Sequence, residues 1–232
     1  MHNTKMFLRA ALLLAVAVTG GNLAQAQTCS ITWTGNVDYW SNPDNWRPRG
    51  VPGPTDDVCI PTGEADARTT PSISVNSIQL SQGAYLVFGS GTVSIATSLT
   101  AQGGVSVLGT TLIATSVNVP SGGSLTGNGT IEGSLTNSGY LSPQAASITV
   151  KGNFTQTATG ELGEVWDSAG TLNVNLNATL SGYLFVQYDF KNPPKKGATY
   201  TAMTFGSLSG AFTNVSPGTA KYTHDSVVVT FE

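Results

Sequence analysis

The sequence predicts an all-β chain wound as a single-stranded parallel β-solenoid, and three observations predict it. Glycine returns at Gly83, Gly103, Gly122, Gly139 and Gly160, about every 20 residues, each followed shortly by an aliphatic residue: Leu86, Val105, Leu125, Leu141 and Leu162. Between these points apolar residues take every second place, which puts them on one face of a strand. From Thr69 to Gly160 only Glu132 and Lys151 are charged.

Charge divides the chain in order. Residues 27–68 hold nine charged side chains, 69–160 two and 161–232 ten. This predicts an N-terminal Trp-rich cap over 27–68, solenoid repeats over 69–165, and C-terminal β strands with a cap over 166–232. In the central unit, runs such as 78–88, 99–107 and 117–125 read as strand, turn, strand, with Ser, Thr, Asn and Gln on the outer face. A unit of this kind cannot bury its apolar face alone, so about five coils are expected to stack around a shared core. Pro71, Pro120 and Pro143 fall at the ends of runs, as strand chemistry requires. No stretch after residue 27 has a 3.6-residue period, so almost no helix is expected. The longer aromatic runs 180–186, 200–205 and 226–231 are expected to close the C-terminal end.

Residues 1–26 combine Lys5 and Arg9, the apolar run 10–18 and the small-residue site 24–26, the pattern of a secretory signal peptide. Ten residues or so of apolar run are too few to span a membrane, and no second run follows, so no transmembrane segment is expected after cleavage. Gln27 and Thr28 fit a lipid-attachment site before Cys29 poorly. Export implies an oxidising compartment, where Cys29 and Cys59 are expected to form a disulfide.

From Gln27 onward thirteen acidic side chains face eight Lys and Arg. Nucleic acid is therefore excluded as a partner, because phosphate binding needs clustered positive charge. The one basic cluster, Lys191, Lys195 and Lys196 around Pro193 and Pro194, reads as a solvated loop.

Two segments carry a resemblance. Trp33-Thr-Gly35, Trp40-Ser-Asn42, Asn45-Trp46, Val51-Pro52 and Asp57-Val58 resemble the opening of bacterial secreted and surface β-solenoid proteins. The segments 123–131 and 135–143 are similar to autotransporter passenger repeats, and 197–212 to the segment that closes many of them. The resemblance implies a right-handed solenoid displayed outside the cell and no single activity. The membrane barrel and apolar sorting helix of such proteins have no counterpart here, which points to release or self-assembly.

Catalytic chemistry finds little support in the residues. His224, beside Asp225, reads as an exposed turn histidine. Carboxylate pairs for sugar cleavage are offered by Asp56 with Asp57, Glu64 with Asp66, and Glu161 with Glu164 and Asp167, all at region junctions. Asp38, Asp44, Asp56 and Asp57 supply oxygen ligands for calcium, but in no known loop spacing, so no cofactor or metal is assigned. Thr97, Thr100, Thr110, Thr111, Thr115 and Thr126 do not recur with the 20-residue coil, which argues against an ice-binding row. Trp33, Tyr39, Trp40 and Trp46 are the strongest local feature, read as a cap over the open solenoid end or as a carbohydrate-binding surface.

The sequence thus predicts an exported, non-catalytic structural or adhesive protein of the cell surface or extracellular matrix. Its partners are expected to be other copies of itself, surface polysaccharide or surface protein. The alternatives are a carbohydrate-binding module and a polysaccharide-acting enzyme.

Overall fold

A computed structural model of the protein describes residues 28–166 and 170–232. The expected leader at 1–26 and Asp167 lie outside them. The described chain is almost entirely strand, wound into a parallel β-solenoid of about six turns with successive coils about 20 residues apart. A single 3-10 turn, Pro43–Asn45, is its only helical element among the described residues.

Each coil has three strand segments, one more than the strand-turn-strand unit read from the sequence. The strand Gly104–Val119 passes through all three: residues 104–107, 110–113 and 116–119 pair with three separate segments of the neighbouring coils. Its two corners are register shifts at 108–110 and 113–116. Corners made this way keep the apolar alternation running, so the sequence shows no break there. Pro143 sits at a similar corner, inside the strand Tyr140–Val150 and not at its end.

Three parallel ladders result, and their inward ranks form the core. One rank is Val58, Ile78, Leu99, Val117, Leu135, Phe154 and Ala178. A second is Ala65, Leu86, Val105, Leu125, Leu141, Leu162 and Leu184, which contains every aliphatic residue that follows the recurring glycines. The third is Ile73, Val93, Leu112, Ile131, Val150, Val174 and Phe205. All of these are buried, and each large side chain contributes roughly 1.5–3 kcal/mol over an exposed one.

The glycine repeat marks the remaining corner, where one coil ends and the next begins. There Gly63, Ala84, Gly103, Gly123, Gly139, Gly160 and Gly182 lie one above another. The residue after each position donates its N–H to the carbonyl of the one below: Tyr85 to Gly63, Gly104 to Ala84, Ser124 to Gly103, Tyr140 to Gly123, Glu161 to Gly139 and Tyr183 to Gly160, at 2.8–3.0 Å. A Cβ on Gly123 would stand 1.8 Å from the Ala101 carbonyl oxygen, so the backbone there must be bare, whereas one coil accommodates the small side chain of Ala84. Gly83 is required for a different reason. Nothing lies within 4 Å of its Cβ position, but its φ is +82°.

Two amides sit inside this corner, where the alternation had placed polar residues outside. Asn137 and Gln156 are fully buried and stacked in register. Asn137 Nδ2 donates to Gln156 Oε1 at 3.1 Å and to the Glu161 carbonyl at 3.0 Å, and its Oδ1 accepts from the Gly139 N–H. Gln156 Nε2 lies 2.8–3.2 Å from the carbonyls of Gly160, Ser181 and Tyr183. These side chains satisfy turn groups that water does not reach.

Both ends of the stack are closed by antiparallel pairing. Ile31–Trp33 pairs with Trp46–Arg47, and the Cys29–Cys59 disulfide ties the chain's start to the next coil. At the other end Thr199–Gly210 takes Ser226–Thr230 as an antiparallel neighbour, and that strand takes Thr219–Tyr222. Phe231 and Tyr200 pack against Trp166 there.

Three substitutions test the corner. Gly123→Ala is expected to cost about 3 kcal/mol or more in urea unfolding, because its methyl meets backbone. Gly83→Ala is expected to cost about 1–2 kcal/mol, the left-handed conformation alone. Gln156→Leu, which orphans buried carbonyls, is expected to cost about 1–3 kcal/mol by the same measurement.

Candidate functional site

The tryptophans are not a sugar platform. Trp33, Trp40 and Trp46 are 1%, 1% and 0% exposed, packed edge to face with centroids 4.8–5.0 Å apart. Trp46 Nε1 donates to the Trp40 carbonyl at 2.8 Å, which locks the group. Rings buried on both faces cover the first coil and offer nothing for a sugar to stack on. Tyr39 alone of the four is exposed.

The aspartates stand in separate local networks. Asp38 accepts from the Tyr39 N–H and Asn42 Nδ2. The Tyr39 N–H, then Asn45 and Asn42, hold its carboxyl below the usual range. Asp44 pairs with Arg49, Asp56 accepts from Ser30 Oγ and the Gly53 N–H, and Asp57 accepts from Asn76 and Ser77. Asp66 is held low by Arg68, which binds both its oxygens at 2.8–3.2 Å. Among the described residues no three of His, Cys, Asp and Glu gather as a metal-ligand set.

Glu161 and Glu164 point to opposite sides of the strand Glu161–Val165, Glu161 toward solvent and Glu164 into the core. They do not flank a common point. Burial pushes the Glu164 carboxyl well above its ordinary value, against the pull of the Tyr200 hydroxyl and the Leu172 N–H. The Tyr200 hydroxyl has one proton and lies 2.6 Å from the Gly170 carbonyl. The same hydroxyl lies 3.0 Å from Glu164 Oε2, so its single proton is shared between the carboxyl and the carbonyl. Among the described residues Glu164 Oε1 has no hydrogen-bond partner. His224 is exposed in the turn before Ser226–Thr230, and Lys191, Lys195 and Lys196 are exposed in a loop.

What the fold does bring together is on its outer faces, and each face has its own chemistry. The neutral face carries the ranks Gln79, Thr100, Asn118, Thr136, Thr155, Thr179, Ser209 and, beside it, Ser98, Ser116, Ser134. Asn177 and Ser207 continue the second rank toward the C-terminal end. The mixed face carries Ser72, Thr92, Thr111, Thr130, Thr149, Asn173 and Thr204 in one rank. Of the six threonines weighed from the sequence only Thr111 falls in this rank, and no two of the six share a register position. Beside that rank stand Ser74, Ser94, Ile113, Glu132 and Lys151, so the face has no regular second row of hydroxyls. Lys151 Nζ donates to Glu132, pairing the only two charges of residues 69–160 with each other. The aromatic face carries Glu64, Tyr85, Gly104, Ser124, Tyr140, Glu161, Tyr183 and Asn214 in its outer rank.

Glu164 yields a pH test. A group protonated more readily when folded contributes its full stability below its unfolded value, near 4.5, and that contribution is lost as pH rises toward the folded value. Glu164→Gln keeps an acceptor for the Tyr200 hydroxyl and removes the titration. Its unfolding midpoint is therefore expected to rise relative to the native protein as pH increases above about 5. Equal pH profiles by thermal unfolding would contradict the assignment. Comparison with family models, with curated proteins and with solved structures finds no match.

Proposed function

We propose that the chain is an exported, non-catalytic structural or adhesive rod that makes contacts through its neutral face. The observation that carries the reading is that face's composition: two adjacent ranks of Ser, Thr, Asn and Gln run along successive coils with no charged side chain from Gln79 to Ser209. Mixed surface charge is what ordinarily keeps a soluble domain apart from its copies. A flat, uncharged hydroxyl and amide surface favours extended contact with a second copy or a surface polymer, without a pocket. Export is supported by the leader pattern of residues 1–26 and by the disulfide, which persists in oxidising compartments. The placement of Glu161 and Glu164 on opposite strand faces supports the non-catalytic reading.

Electron microscopy of the purified mature protein tests this. Filaments, sheets or laterally paired rods are expected. The double variant Thr136→Lys, Thr155→Lys, which puts two like charges in the middle of the face, is expected to disperse them. Dispersed monomers for the native protein at high concentration, or assemblies indifferent to the lysines, would overturn the reading.

A further inference from the structure

The aromatic face carries a group of residues that association through the neutral face does not use. Tyr140, Glu161 and Tyr183 occupy the same outward position on three consecutive coils. Parallel strands lie about 4.8 Å apart, which sets the two tyrosines about 10 Å from each other with the carboxylate between them. The Tyr140 ring lies across Gly163: a Cβ there would stand 2.4 Å from its hydroxyl oxygen and 2.5 Å from Cε2. The ring is thus laid along the sheet and not raised from it. Phe185, exposed and opposite Gly163 on the next coil, extends the patch beside Tyr183.

A shallow groove runs along the corner next to these rings, lined by Ser121, Ser124, Ser138, Tyr140, Thr159 and Glu161 with the corner glycines. Its polar groups are hydroxyls and one carboxylate. Among the described residues, no hydrogen bond or ion pair engages the Tyr140 and Tyr183 hydroxyls or the Glu161 carboxylate. The tyrosines that serve the fold differ: Tyr200 is bonded to Glu164 and Gly170, and the Tyr222 oxygen accepts from the Phe212 N–H.

We propose that Tyr140, Glu161 and Tyr183 form a binding site for a neutral polysaccharide chain. A pyranose ring has an apolar C–H face and a rim of hydroxyls, and a tyrosine laid flat supplies the matching apolar body with a polar tip. Tyr183, about 10 Å further along the same rank of backbone positions and exposed, supplies a second aromatic contact along one chain. Glu161 accepts from the hydroxyls between them in charge-assisted bonds, stronger than neutral ones. Charge decides the class of glycan: the groove has a carboxylate and no lysine or arginine, so uronate or sulfate groups are repelled. An open groove suits a segment of a long chain, whereas small ligands are usually enclosed. This site stands on a different face from the associating ranks and does not depend on rods associating.

The test uses the purified mature chain with cellohexaose and chitohexaose in calorimetric titration, and with insoluble cellulose and chitin in pull-down. Polygalacturonate serves as the anionic comparison. Binding to a neutral glycan is expected, weakened about tenfold or more by Tyr140→Ala or Tyr183→Ala. Tyr140→Phe and Tyr183→Phe, which keep the rings, are expected to retain most of it. Tyr85→Ala, three coils before Tyr140 in the same rank, is expected to leave it unchanged. Glu161→Lys, on the outer side of its strand, is expected to shift preference toward polygalacturonate. The proposal is overturned if none of the neutral probes binds, if polygalacturonate binds the native chain better, or if the alanine variants bind as the native does. Microscopy of the same samples reports rod association separately, so either reading can fail alone.

Discussion

Everything in this molecule depends on how closely the backbone of one coil approaches that of the next at the corners: within strands, at Gly127 and Gly133, and at the corner where the glycines recur. There the chain leaves one coil and enters another, and carbonyl oxygens stand where a side chain would begin: a Cβ on Gly123 would be 1.8 Å from the Ala101 oxygen. Glycine at every level but Ala84 lets each N–H reach the carbonyl below at 2.8–3.0 Å. Once that spacing is imposed at one corner, all three ladders must keep it. The inward aliphatic ranks then stack in register, and the outward residues form straight rows.

Straight rows turn a repeat into surfaces. Because each outward position is repeated by the coil above, a modest bias in residue type becomes a face with one chemistry. Ser, Thr and Asn gather on one side, tyrosines on another, and the single Glu132–Lys151 pair on the third. Open ladders would leave unpaired N–H and C=O groups at both ends, which invites uncontrolled pairing. Antiparallel strands at each end, the buried tryptophans at the start and the Trp166, Tyr200 and Phe231 cluster near the finish cover much of that exposure. Surface contact is thereby directed to the long faces.

The glycine spacing made the coil legible, and the aliphatic residues that follow each glycine form one complete inward rank. The disulfide partners were equally plain, because two cysteines leave one choice. The third strand of each coil was not visible, since corners built from register shifts leave the alternation unbroken. Asn137 and Gln156 look like surface residues until the turn carbonyls they serve are placed around them. Thr92, Thr111, Thr130 and Thr149 recur every 19 residues, a rank hidden by other threonines nearby. Glu164 stood out only as one of a carboxylate cluster, and its burial was not legible, because it follows from strand parity in Glu161–Val165 and from Tyr200, distant in sequence. Tyr140 and Tyr183 were equally silent: an outward tyrosine in a strand is commonplace until Glu161 is found between the two.

Amide hydrogen exchange on the native protein, resolved by residue, examines the corner stack itself. If the coils are held together there, the N–H groups of Ser124, Tyr140, Glu161 and Tyr183 will exchange among the slowest in the chain, alongside the inward aliphatic ranks. If those four exchange as fast as the exposed loop around Lys191 and Lys195, the corner is not what holds the coils in register, and the faces built on it lose their physical basis.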